Sequence, residues 1–122
     1  MHEKPRLRDW WKEKIIATAE EIMKDLNPKL YDLAHVTLST RSAISSIILI
    51  LGEKGPLSKE RLYQALLDMQ QQRGFTKVLK SKRTYSLYLY ALKKCGIVEG
   101  SKGELHLTEK GLIIYHYLKL KR

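Results

Sequence analysis

At 122 residues the chain is long enough for one domain with a core of its own, and its 43% hydrophobic content excludes disorder on compositional grounds. Lys and Arg total 23 against 13 Asp and Glu, and the net charge of +10 points to a polyanionic partner, nucleic acid or an acidic membrane surface. A single cysteine, Cys95, excludes an intrachain disulfide and a cysteine-cluster zinc site and suits a reducing, intracellular compartment.

A helix is predicted over Leu7–Leu26, where Leu7, Trp11, Ile15, Ala19, Ile22 and Leu26 recur at helical steps and Trp10, Ile16 and Met23 widen the stripe. Asn27-Pro28 is expected to end it, with a short helix or turn from Lys29 to His35. Thr40 is the expected cap of a second main helix, Arg41–Leu51, whose dense apolar residues imply cover on most sides; Gly52 to Pro56 should break it. Ser58 caps a helix over Lys59–Arg73, with Leu62, Ala65, Leu66 and Met69 inward and Gly74 as its stop. After a connector, Phe75–Lys80, Ser81 caps a helix over Lys82–Cys95 that Gly96 ends. Ile97–Glu99 and Leu105–Thr108 read as strands around a Gly100–Gly103 turn. A last helix, Glu109–Leu120, offers Leu112, Ile113, Tyr115, Tyr117 and Leu118 for packing.

From Arg41 onward this order resembles a winged helix-turn-helix. Ala91–Val98 is similar to the end of a recognition helix entering the first wing strand, and Leu105–Gly111 looks like the second wing strand running into a final helix. Pro56-Leu57-Ser58 resembles the short edge strand before the second helix. These patterns recur in MarR-like and PadR-like regulators and other small bacterial and archaeal winged-helix proteins. The resemblance spans about Thr40 to Leu120, with one departure: Gly74–Ser81 is longer than the tightest helix-turn-helix turns. It implies a mainly α fold with a small β-hairpin wing (α+β), an N-terminal helical extension over 1–39 and a DNA-binding domain with a C-terminal helix over 40–122. It also implies a transcription regulator that binds specific duplex sites, with the helix about 82–95 in the major groove and the wing about 97–108 on the adjacent minor groove or backbone.

The charge is concentrated: Met69–Val98 holds seven basic residues and no acidic one, whereas Met1–Asp68 is almost balanced. On the expected recognition helix Tyr85, Leu89, Leu92 and Cys95 fall inward, with Tyr88 beside them. Arg83, Ser86, Tyr90 and either Lys93 or Lys94 lie opposite. Arg83 is the leading candidate for a base contact, since a guanidinium pairs with guanine O6 and N7. Leu87 also faces out, toward a thymine methyl or a neighbouring element. Lys77, Lys80, Ser81 and Lys82 are expected on phosphates, and Lys102 tops the wing. With about six phosphates contacted, affinity should fall with salt at a log–log slope of roughly −5.

The N-terminal helix has no place in a minimal winged helix. With Leu112, Tyr115 and Leu118 of the last helix, its Leu7, Trp10, Trp11, Ile15 and Ile22 are expected to form a homodimer interface; packing on its own domain is the alternative. Glu13, Glu20, Glu21 and Asp25 argue against a basic membrane-surface helix. Met1–Arg8 lacks the apolar core of a leader, and Ala43–Leu51 is about half a bilayer span, so a cytoplasmic, nucleoid-associated protein is expected. His2, His35, His106 and His116 show no metal-ligand spacing, Gly100–Gly103 lacks the phosphate-loop pattern, and no catalytic set is visible. The expectation is a non-enzyme without cofactor or metal. Rival readings are a winged-helix adaptor that binds protein and an architectural protein that binds DNA without sequence preference.

Overall fold

The computed structural model describes residues 7–39, 42–73 and 81–121. It is mainly helical, with one small antiparallel sheet. Helix α1 runs from Leu7 to Ala34, through Pro28 rather than stopping before it. A proline inside a helix forfeits a backbone hydrogen bond and costs about 3 kcal/mol or more. Here the buried stripe of Ala19, Leu26, Leu30 and Ala34 continues across the proline. Burial of Leu30 and Ala34 therefore favours continuing the helix, and the expected short element after Pro28 is its last two turns. Asn27 Oδ1 accepts the Leu38 N–H at 2.8 Å, so the chain leaving α1 is tied back to it. His35, in the left-handed region at φ 55°, ends the helix.

Helix α2, Ala43–Lys54, is the centre of the fold, with every residue from Ala43 to Leu51 buried. Its cap is Ser42, whose Oγ accepts the Ser45 N–H at 3.2 Å; the expected cap, Thr40, lies outside the described residues, as does Arg41. Ser45 and Ser46 can be buried because their hydroxyls reach Ser39 and Ser42. The helix passes through Gly52 and stops at Gly55, φ 79°. Gly52 is not a breaker here: the Tyr115 ring occupies the space a Cβ would take. Strand β1, Leu57–Ser58, leads into α3, Lys59–Arg73, where Ser58 Oγ accepts the Arg61 N–H at 3.2 Å. Leu62 and Leu66 are fully buried and Ala65 and Met69 half-buried. The expected stop, Gly74, and the connector Phe75–Lys80 lie outside the described residues.

Helix α4, Lys82–Lys94, starts at Ser81, whose Oγ accepts the Thr84 N–H at 3.2 Å. It ends in a Schellman motif: Ile97 N–H donates to Leu92 O at 3.0 Å and Gly96 N–H to Lys93 O at 3.1 Å, with Gly96 at φ 74°. Strands β2, Val98–Ser101, and β3, Glu104–Leu107, form a hairpin that pairs Val98 with Leu107 and Gly100 with Leu105. Its turn is only Lys102-Gly103, both at positive φ, shorter than the expected four residues because Gly100 and Ser101 still pair across the ladder. β1 adds to the other edge of β3, Leu57 opposite Leu105, giving the order β1-β3-β2.

Helix α5, Glu109–Lys121, packs on α2 and α1. Its inward residues are Gly111, Ile114 and Leu118; Leu112, expected among the packing positions, is 46% exposed. Thr108 joins the hairpin to α5. Its hydroxyl meets the carbonyls of Gly96 and Ile97, and it accepts the Gly111 N–H at 3.2 Å. A Cβ at Gly111 would run into the Ile97 carbonyl and lie 3.1 Å from the Leu107 side chain. Gly111→Ala is therefore expected to destabilise the fold by about 1–3 kcal/mol in urea unfolding, an overpacking cost; Gly103→Ala, whose Cβ meets nothing within 4 Å, separates this steric effect from strain at positive φ.

Candidate nucleic-acid interface

The exposed face of α4 is decided by how the helix is anchored on its other side. Tyr85, Leu89, Ala91 and Leu92 are buried, and Cys95 closes the same face. Tyr85 is the largest of them and is fully buried. Its hydroxyl donates to the Lys59 carbonyl at 2.6 Å, and its ring lies 4.8 Å from that of Tyr63. Burial, with the neighbouring Tyr63, pushes its phenol well above the ordinary tyrosine range. With Tyr85 inward, Arg83, Leu87, Tyr90 and Lys94 form one exposed stripe, since steps of four, three and four residues return to the same side of a helix. Leu87 is 41% and Tyr90 51% exposed. Ser86 is half-buried at the edge of this stripe.

The structure separates Lys93 from Lys94. Lys93 leans over the hairpin: a Cβ at Gly100 would stand 3.9 Å from its Nζ. Lys94 turns the other way. Its Nζ is 5.7 Å from the Tyr90 ring centroid, and it shares a cavity of about 300 Å³ with Glu21, Asp25 and Lys29 of α1. Lys82, at the start of α4, lies 5.8 Å from the Tyr63 ring centroid, back toward α3. Ser81 spends its hydroxyl on the helix cap and on Thr84. Lys77 and Lys80 lie outside the described residues.

A second cavity, about 290 Å³, opens between α3, α4 and the hairpin. Lys59, Lys93 and Lys102 line it together with the backbone from Gly100 to Gly103, and Glu104 is its one carboxylate. Lys59 also opens α3, so the positive end of that helix dipole adds to the three ammonium groups. The sequence reading missed Lys59. It sits in the nearly neutral half of the chain, and only the pairing of Leu57 with Leu105 brings it to the hairpin. On the outer face of the hairpin His106 Nε2 meets Glu99 Oε2 at 3.2 Å, a cross-strand pair.

The residues expected at a dimer interface divide. Leu118 is fully buried in the chain's own core, Ile22 and Tyr115 are half-buried against it, and Ile15 is half-buried. Leu118 is therefore a core residue and leaves no surface for a second copy. Trp10 and Trp11 remain 55% and 45% exposed, and Leu112 is also exposed. Trp11 meets His116 of α5 edge-on at 5.8 Å, while Lys14 Nζ lies 4.9 Å from the Trp10 ring centroid. The side chain of Leu7 lies outside the described part. Among the described residues no group of three His, Cys, Asp or Glu side chains is placed to hold a metal ion, and no helix is long and apolar enough to cross a membrane.

Comparison with family models, curated proteins and solved structures finds no match to this chain.

Tyr85→Phe removes the hydrogen bond to Lys59 and leaves a part-buried carbonyl without that partner. It is expected to destabilise the protein by about 1–2 kcal/mol near pH 7 in urea unfolding. A phenol whose folded pKa is raised favours folding less as pH rises past its unfolded value near 10. The wild type should therefore lose stability above about pH 10 more steeply than Tyr85→Phe, compared by thermal melts across that range.

Proposed function

We propose that this chain is a winged helix-turn-helix regulator that binds duplex DNA, with α4 in the major groove and the β2–β3 hairpin as the wing on the flanking backbone. It acts at the nucleoid in the cytoplasm. The element order from α2 to α5 and the β1-β3-β2 sheet are compatible with that fold. The observation that carries the reading is the convergence of Lys59, Lys93 and Lys102, from three separate elements, beside a helix whose free face bears Arg83. Phosphates are held by such clusters, and base edges are read by an arginine that enters the groove beside them. An adaptor for another protein has no need of so much unbalanced positive charge around a single helix.

The functional unit in this reading is a homodimer joined through Trp10, Trp11 and Leu112, which stay exposed on their own chain. A twofold pair of α4 helices suits a palindromic site with half-sites about 34–36 Å apart.

The test is fluorescence anisotropy of a labelled random duplex over a range of salt. Wild type should bind in the range of about 1–100 μM at physiological salt, with a log–log slope of roughly −5. Lys93→Ala/Lys102→Ala should weaken binding to all sequences and reduce the slope by about 2. A chain that binds no duplex at low salt would overturn the DNA reading and direct attention to an acidic protein partner.

A further inference from the structure

The exposed stripe of α4 carries more than charge. Arg83 stands in the first turn of the helix, and Leu87 follows on the same side, four residues on. Single exposed leucines are ordinary on protein surfaces. Leu87 differs by position: it is an aliphatic side chain in the middle of the polar face of an amphipathic helix, next to Arg83 and Ser86. The far end of the stripe lies toward α1: the Lys94 ammonium is 5.7 Å from the Tyr90 ring centroid, and Lys94 lines a cavity with Glu21, Asp25, Lys29 and Lys110. Arg83 and Leu87 occupy the first half of α4, away from that end, and both are exposed.

Each has a distinct match in the major groove. A guanidinium pairs in two bonds with guanine O6 and N7, and an aliphatic side chain packs on the C5-methyl of thymine. Four helical residues advance about 6 Å, and base pairs repeat every 3.4 Å or so. The two contacts therefore fall about two base steps apart.

Resting on the DNA-binding reading above, we infer that Arg83 and Leu87 are the specificity-determining residues of α4, and that each half-site holds a guanine and a thymine methyl within about two base pairs of each other. Lys59, Lys93 and Lys102 hold the backbone and set the register; they do not choose the sequence.

The experiment selects a site from a random duplex library with the wild-type protein, then replaces each thymine of that site singly by deoxyuridine, which removes only the methyl group. One thymine in each half-site, about two base pairs from a guanine, should respond, with a loss of about fourfold, the worth of one buried methyl. Leu87→Ala should bind the thymine and deoxyuridine sites equally. Arg83→Ala should cut the preference for the nearby guanine by about fivefold or more while leaving the thymine response in place. Both side chains are exposed, so melting temperatures should match the wild type, which checks that the variants fold. A selected site in which no thymine responds, or a methyl response unchanged in Leu87→Ala, would overturn the inference and leave DNA binding standing. Salt-dependent binding with no sequence enriched would overturn it as well, in favour of the architectural reading. Failure to bind any duplex would overturn the DNA reading itself.

Discussion

The Tyr85 hydroxyl on the Lys59 carbonyl joins the starts of α3 and α4, and the arrangement of the candidate interface follows from it. A helix lying on a core can roll about its own axis, and a roll of one residue replaces its exposed face. A buried phenol with a single partner at 2.6 Å prevents that roll, because any other orientation strands a polar hydroxyl among apolar neighbours. Tyr63 closes over the ring from α3. The same contact therefore fixes which side chains of α4 face outward and holds Lys59 beside them.

The hairpin is oriented by a second set of constraints, at its base. The Schellman turn at Gly96 sends the chain from α4 directly into β2, and Thr108 clamps the other end of the hairpin to Gly96 and Ile97. Gly111 lets α5 approach the Ile97 carbonyl closely enough for that clamp to close. β1 then pairs with β3 on its far edge and brings the first turn of α3 alongside. The three lysines of the cradle are thus held by backbone hydrogen bonds in three different elements.

Much of this was legible along the chain. The capping serines at 58 and 81, the glycine stop at 96 and the alternation of Leu105, His106 and Leu107 are local signals: local hydrogen bonds form at the serines and the glycine, and Leu105 and Leu107 are buried on either side of a half-buried His106. The inward face of α4 was legible for the same reason, since a strongly amphipathic helix has one way to bury its apolar side. Where local signals misled, tertiary burial outweighed them. Pro28 and Gly52 read as breaks, but a continuous buried stripe carries α1 past the first and the Tyr115 ring fills the space beside the second. Leu112 and Leu118 could not be told apart in a helix with apolar residues on several sides; Gly111 and Ile114, not Leu112, face the core.

What the sequence by itself determined was the order of elements from α2 onward, the caps at Ser58 and Ser81, the acid-free basic window and the two faces of α4, because each depends on residues a few positions apart. Only the tertiary structure decided that Lys93 joins the hairpin while Lys94 turns toward α1, that Lys59 completes the basic cradle, and that Leu118 belongs to the core. Those outcomes depend on the roll of one helix against another and on the β1–β3 register. Both are set by contacts between residues tens of positions apart, which no local pattern encodes.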